Sequence, residues 1–340
     1  MPLECFVPPY NIVLPDGGFS RVGFFKILFT SIMTNSQHLL LHQCPVCGSN
    51  QRRLLFPVHQ SFVYSCQPCG LRYLDPCMSQ KDMSDFYESP EQLFKSHAFY
   101  QTYYDYGDLT KPSKTMRDYQ VFLSCLDEMS SSQKKTRTFF EVGYGNGLFL
   151  AAAQKKGWQV AGIDSSHRNR SVARHRFGLE LQQGDFMSCQ SSLTNGYDVV
   201  VAMDVLEHFY QPMAFLEKIY SYLSAEGFFL IAVPNDLSFL RLLSESLFRM
   251  SFGLIRGGIE KTYLMEHTVY YTRQTLSALL QKCGFIIKKQ FFSSTDLERY
   301  HFTAIEKLAA SGILNIGKLI HLENRLIMIG QKPSEKIIVL

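Results

Sequence analysis

Four short runs of β-type residues (Thr138–Val142, Gln159–Ile163, Tyr197–Ala202 and Gly227–Val233) alternate with stretches of helical spacing between residues 137 and 235. Continuous apolar strands separated by helices predict a parallel sheet with helices on both faces. A further strand is expected at Leu179–Gln182, and two more at Phe285–Phe292 and Arg325–Gly330. Helical spacing marks Leu148–Lys156 and residues 272–283, the latter closed by Gly284. Residues 236–256 read as an inserted amphipathic segment. Its stripe of Phe239, Leu242, Leu243, Leu247 and Phe248 is expected to be a buried helix face.

Upstream the pattern changes. Residues 1–36 carry Pro2, Pro8, Pro9 and Pro15, then a short apolar run from Val22 to Phe29. They are expected to form a poorly ordered extension, with a membrane-surface or partner-binding segment as the alternative. Residues 37–78 form a compact unit bounded by cysteines. Residues 79–135 have helical character and many tyrosines (Tyr100, Tyr103, Tyr104, Tyr106, Tyr119), as a linker or lid. Residues 136–340 form the large α/β domain, with 236–265 as an inserted helical cap. The 340 residues are 46% hydrophobic and 19% charged, which excludes a disordered chain. No run of about 18 uncharged apolar residues occurs, so no transmembrane helix is expected. The formal net charge of +4 argues against a strongly basic nucleic-acid binder.

Nine cysteines change the picture. Cys44-Pro-Val-Cys47-Gly48 and Cys66-Gln-Pro-Cys69-Gly70 are matched knuckles, and the segment between them reads as strands of a ribbon. Four soft thiolates in tetrahedral array suit Zn²⁺ and leave no open position for catalysis, so the ion is expected to be structural. A redox pair would sit before a helix in a βαβ context and rarely comes twice. The odd total without a secretory start fits the reducing cytoplasm rather than a disulfide scaffold.

The chemistry concentrates in Glu141-Val142-Gly143-Tyr144-Gly145-Asn146-Gly147. A strand runs into a glycine turn and then a helix, which lets the backbone approach a ligand closely. Leu148 stands where a dinucleotide fingerprint needs glycine, and the Gly-Lys-Ser/Thr of a phosphate loop is absent. The acidic residue at the strand's end repels a pyrophosphate but attracts an ammonium. Asp164 ends the second strand, where an acid can accept both hydroxyls of a ribose or serve as an ordinary helix cap. Asp185 and Phe186 follow the third strand, placed to meet an amino group and the face of a base; an Asx turn is the other reading of Asp185. Asp204 and Glu207 follow the fourth strand, either touching a ligand or ordering the loop.

These residues resemble the class I S-adenosylmethionine-dependent methyltransferases over about residues 137–331. The resemblance continues through Tyr197–Val201, Val205-Leu206-Glu207-His208, Leu223–Asn235 and Glu266-His267-Thr268-Val269-Tyr270-Tyr271. It is similar to the branch that holds ubiquinone-type and many small-molecule methyltransferases. With the cysteine knuckles it looks like a subgroup that acts in secondary or surface-polysaccharide metabolism, sometimes on nucleotide-linked sugars. The resemblance implies a Rossmann-like seven-stranded sheet with its last strand antiparallel. It implies that Glu141, Gly143, Tyr144, Gly145 and Gly147 contact the methionine part of S-adenosyl-L-methionine. It implies that Asp164 holds the ribose, and that Asp185 and Phe186 hold the adenine; Asp204 is counted with the cofactor site. Glu141 departs from the commoner aspartate, and Tyr144 is bulky. His208 and His267 are the candidate general bases, since an imidazole titrates near neutral pH. The expected partner is a small-molecule acceptor methylated at oxygen or carbon. The alternatives are an RNA methyltransferase, with Lys134, Lys135 and Arg137 as its basic cluster, and a non-catalytic cofactor-binding protein. The sequence carries no signal for an oligomeric state.

Overall fold

The computed structural model describes residues 38–89, 107–130, 136–190, 193 and 195–334. The expected extension over 1–36, Lys134, Lys135 and the tyrosines at 100, 103, 104 and 106 lie outside the described residues.

The cysteine unit contains strands β1 (His38–Leu39), β2 (Arg52–Val58), β3 (Ser61–Cys66), β4 (Arg72–Asp75) and β5 (Cys77–Met78), followed by helix α1 (Gln80–Glu88). Strands β2 to β4 form an antiparallel ribbon. Ser79 caps α1 by accepting from the Asp82 amide.

The large domain begins with α2 (Lys114–Met129), β6 (Thr138–Val142), α3 (Leu148–Lys155), β7 (Gln159–Asp164) and α4 (His167–Phe177). It continues with β8 (Gln182–Gln183), β9 (Tyr197–Met203), α5 (Pro212–Tyr222), β10 (Leu223–Pro234), α6 (Phe239–Met250) and α7 (Gly257–Thr262). It closes with β11 (Val269–Tyr270), α8 (Arg273–Lys282), β12 (Ile286–Ser293), α9 (Ala304–Leu319) and β13 (Arg325–Gln331). One seven-stranded sheet runs β12-β13-β10-β9-β6-β7-β8, with β13 antiparallel to both neighbours. This is the expected mixed α/β sheet.

Strand period explains how the sheet is buried on both sides. Phe140, Val200, Phe229 and Ile231 face α5 and α8, while Phe139, Val199, Val201 and Leu230 face α2 and α3. Glu141 shares the face of Phe139. It therefore points toward α2 at the carboxyl end of the sheet.

Three features differ from the sequence expectation. The third strand is Gln182–Gln183, a short exposed edge, and Leu179 and Leu181 instead enter the core beside α3. In α6 the buried residues are Arg241, Ser244, Glu245 and Phe248, while Leu247 is 42% exposed. Ion pairs from Arg72 to Glu245 and from Arg241 to Asp236 turn the polar side of α6 toward the ribbon. Of the apolar stripe, Phe248 is buried, Phe239, Leu242 and Leu243 are half-buried and Leu247 is exposed. Helix α9 has no counterpart among the expected elements; Ile305, Leu308 and Leu319 on it are exposed, and Gly317 is its one buried residue. No helix among the described residues is long and apolar enough to cross a membrane.

Candidate active site and cysteine centre

At the carboxyl end of β6 the chain makes three left-handed turns in five residues, with φ of 68° at Gly143, 54° at Gly145 and 81° at Gly147. A side chain at Gly143 would meet Val205 Cγ2 at 2.5 Å, and one at Gly147 would meet Ala173 Cβ at 2.8 Å. Glycine is therefore required at both positions. Beside them opens a pocket lined by Glu141, Gly143, Asn146, Met203, Asp204 and Arg325. Glu141 is 2% exposed, and its Oε2 has no hydrogen-bond partner among the described residues. Burial, with the charge of Asp164 added, pushes this carboxyl well above the usual carboxylate range.

Asp164 is buried and already committed. It accepts from the amides of Gly145 (2.9 Å) and Ser166 (2.9 Å) and from Asn169 Nδ2 (3.0 Å). Burial raises its pKa despite these donors. Tyr144 turns its hydroxyl away from the pocket to donate to Gln182 O at 3.0 Å.

A second crevice at the end of β7 and β8 is lined by Ile163, Gln183, Gly184 and Asp185. Asp185 accepts from the Met187 amide at 3.0 Å and the Ser188 hydroxyl at 2.7 Å, an Asx-type turn that leaves it at the crevice wall. Phe186 is not at that wall. Its ring packs 5.5 Å from Phe215 and 5.0 Å from Tyr222 in the core, 4% exposed. The edge strand ends so early that the next large apolar side chain drops beneath the sheet rather than along its rim.

Asp204 adopts φ of 55°, and both its oxygens lie 2.9 Å from Arg325 Nη2. Beyond it, Glu207, His208 and His267 come together. His208 Nδ1 lies 2.7 Å from the Glu266 carbonyl, so that nitrogen must donate and Nε2 is the accepting one. Burial lowers the His208 pKa against the opposing pull of Glu266, which favours the neutral ring. The two imidazoles stand edge to face at 4.8 Å, and the Tyr87 hydroxyl lies 3.4 Å from His208 Nε2. Tyr87 and Arg325 have no sequence signal of their own: Tyr87 reaches His208, and Arg325 the pocket beside Glu141, from elements far away in the chain.

Glu207 is 1% exposed, and neither oxygen has a hydrogen-bond partner among the described residues. Its folded pKa is raised well above the ordinary value by burial and by Asp204. An acid whose folded pKa is raised opposes folding once the unfolded chain ionises. Stability therefore falls as pH climbs from the unfolded pKa to the folded one. Glu207→Gln is expected to unfold at higher denaturant than the parent at pH 8, by about 1–3 kcal/mol, and at the same denaturant at pH 4. Equal midpoints at both pH values would exclude a buried protonated Glu207.

The four cysteine sulfurs form the second centre. Cys44 Sγ is 3.6 Å from Cys69 Sγ and Cys47 Sγ is 3.4 Å from Cys66 Sγ, with all four within 4.8 Å of one another. Thiolates around a tetrahedral ion at about 2.3 Å stand about 3.8 Å apart, so the donor set fits such an ion. The knuckles are built alike: Gly48 N donates to Cys44 O and Gly70 N to Cys66 O, each at 2.9 Å, and both glycines are left-handed. Burial pushes the Cys44, Cys66 and Cys69 thiols up to about 11. Burial also acts upward on Cys47, but the Ser49 amide and the neighbouring thiols bring it below its ordinary value.

Sheet order, glycine turn and buried acid together define a doubly wound α/β protein with a crevice at a topological switch point. The chain belongs to the methyltransferase-domain family, whose model matches residues 116–290. Among curated proteins it is similar to a ubiquinone biosynthesis O-methyltransferase of Paramagnetospirillum magneticum, 27% identical over 158 residues. That alignment covers 43% of this chain and 64% of the relative, less than two-thirds of its length. Its fold is similar to Haemonchus contortus phosphoethanolamine N-methyltransferase 2 in complex with S-adenosyl-L-methionine. The TM-score is 0.52 at 17% identity, over 77% of this chain and 62% of that one. The complex of that enzyme with phosphomonomethylethanolamine and S-adenosylhomocysteine gives 0.51 at 15% identity, over the same shares.

Proposed function

We propose that the protein transfers a methyl group from S-adenosylmethionine to a small-molecule acceptor at oxygen or carbon. The observation that carries this reading is the buried carboxyl of Glu141, its Oε2 without a hydrogen-bond partner among the described residues, beside the left-handed glycines of the pocket. It is a site built for a cation next to bare backbone. In this reading Glu141 receives the cofactor's ammonium, and Gly143, Gly145 and Gly147 admit its methionine part. Asp164 takes the ribose hydroxyls, for which the Gly145 or Asn169 donor must give way. Asp185 accepts from the adenine amino group, Tyr144 contributes backbone only, and Asp204 shapes the wall through Arg325. When bound, the cofactor supplies an activated methyl group on a sulfonium. The protein's own task is alignment and removal of the acceptor's proton. His208 is the base, through Nε2, with His267 and Tyr87 fixing its surroundings. Cys44, Cys47, Cys66 and Cys69 hold a structural Zn²⁺, and no step runs through it.

The name of the curated relative favours an oxygen acceptor. RNA loses ground because Arg137 is tied to Asp127 at 2.7 Å and stacked 4.2 Å over Trp158, which removes it from a phosphate-binding surface. The test is incubation with labelled cofactor and pooled metabolites, followed by mass detection of a gained methyl. With the acceptor in hand, His208→Ala is expected to lose about 10²–10⁴ in turnover while calorimetry shows cofactor affinity intact. Unchanged turnover of His208→Ala would remove the base assignment. Absence of any heat on titrating the cofactor would remove the whole reading.

A further inference from the structure

The cysteine ribbon is covalently remote from the cleft, yet its edge strand and the cleft share a piece of backbone. Strand β11 adds to β4 and extends the ribbon sheet to the order β11-β4-β3-β2, pairing Val269 with Tyr73 and Tyr270 with Arg72. The residues just before β11 are Glu266, His267 and Thr268. Leu74 N donates to Thr268 O at 2.9 Å, and Thr268 N donates to Glu207 O at 2.8 Å. The Glu266 carbonyl accepts from His208, as described above. Segment 263–271 is thus a strap stretched between the ribbon and the loop that carries Glu207 and His208.

Arg72 joins the two ends of that strap. Its Nη1 donates to the Tyr263 hydroxyl at 3.0 Å, at the strap's start, and to Glu245 Oε1 at 2.6 Å on α6. Its Nε lies 3.4 Å from Asp236 Oδ2, and Asp236 N donates to Tyr271 O at 2.8 Å, at the strap's end. Arg72 follows Cys69 by three residues, and Cys66 N donates to Leu71 O at 2.8 Å, so the second knuckle sets where β4 begins.

We infer that Arg72 is a positioning residue: through it the cysteine ribbon acts as the template that holds the strap carrying Glu266 and His267 against His208. This rests on the reading of the His208 cleft as the acceptor side. A ribbon serving only as a tether or a recognition module would leave the two imidazoles indifferent to Arg72.

The experiment uses the full chain and reads the imidazole Cε1 resonances of His208 and His267 by NMR, assigned with His208→Ala and His267→Ala. The groups facing the rings are Tyr87 on α1, Asp204 and Glu207 after β9, and Glu266 on the strap. A strap that moves changes their distances. Arg72→Met is expected to displace both resonances and shift the His208 titration midpoint by about half a pH unit. Turnover of an identified acceptor should fall about tenfold while cofactor affinity by calorimetry holds. Arg72→Lys keeps a charge between Glu245 and Asp236 but lacks the planar fork, and is expected to show part of the displacement. It stands in if Arg72→Met does not fold. Resonances at their parental positions in a folded Arg72 variant overturn the inference, whatever the turnover. Displaced resonances together with full turnover in His208→Ala support the positioning and instead overturn the base assignment.

Discussion

Replacing Glu141 by glutamine is expected to weaken S-adenosylmethionine binding about tenfold to a hundredfold and, in the absence of cofactor, to stabilise the protein at pH 8. The two effects have one origin. The Glu141 carboxyl is buried with Oε2 unpartnered among the described residues, and burial holds its pKa well above the ordinary range. The unfolded chain ionises at its unshifted pKa while the folded chain stays protonated, so stability is lost as pH rises between the two values. Glutamine keeps the shape and removes that loss. With an ammonium in the pocket the sign reverses, because the cation favours the charged carboxylate and forms a charge-assisted bond with it. Such a bond contributes about 1.5–3 kcal/mol, which is the stated range in affinity. Calorimetric titration at pH 8, with denaturant unfolding at pH 5 and pH 8, measures both. A Glu141→Gln protein that binds the cofactor as the parent does would place the ammonium elsewhere.

The legibility of this site in the sequence follows from which forces are local. Continuous apolar runs placed β6, β9 and β10 because each of those strands is buried on both faces and needs no partner in order to be recognised. The glycines were legible for the same reason: left-handed backbone beside a neighbouring side chain permits no other residue. The four cysteines announced themselves through count and spacing. What could not be read is what depends on distant neighbours. Phe186 follows an acid at a strand end, as an adenine contact would, but the two-residue strand β8 sends its ring into the core. The apolar stripe of α6 suggested a buried face, yet only Phe248 of it is fully buried, and the ion pairs of Arg241 and Glu245 cover the polar side beside it. Strand β11 is two residues long and has no sheet of its own until β4 is alongside it. Tyr87 approaches His208 across 121 positions of sequence. In each case the deciding partner comes from another part of the fold.

Serine at Cys47 or Cys66 is expected to abolish metal retention and to unravel the cooperative fold of the ribbon, whereas Cys125→Ser, outside the cluster, should change stability by no more than about 1 kcal/mol. The ribbon is short: Cys44, Cys66, Leu71 and Tyr73 join the main core, and Phe56, Val58 and Leu74 meet Phe248, Ile259 and Tyr263. Without an ion, burial holds three of its thiols, Cys44, Cys66 and Cys69, protonated, with pKa raised to about 11. A metal must displace those protons, so apparent affinity should fall as pH is lowered from 8 to 6, and protons should be released on binding. One zinc per chain by elemental analysis, lost in Cys47→Ser and Cys66→Ser together with the ribbon's own unfolding transition, is the expected result. A parental protein that is metal-free after purification under reducing conditions, yet unfolds at the same temperature with and without added zinc, would make the four sulfurs a packing cluster. The strap from residue 263 to 271 would then be held by the hydrogen bonds of β4 and the contacts of Arg72, without help from an ion. The metal would be irrelevant to the placement of His267, since the Cys66–Leu71 hydrogen bond and the strand that starts at Arg72 would carry the second knuckle to the strap without an ion.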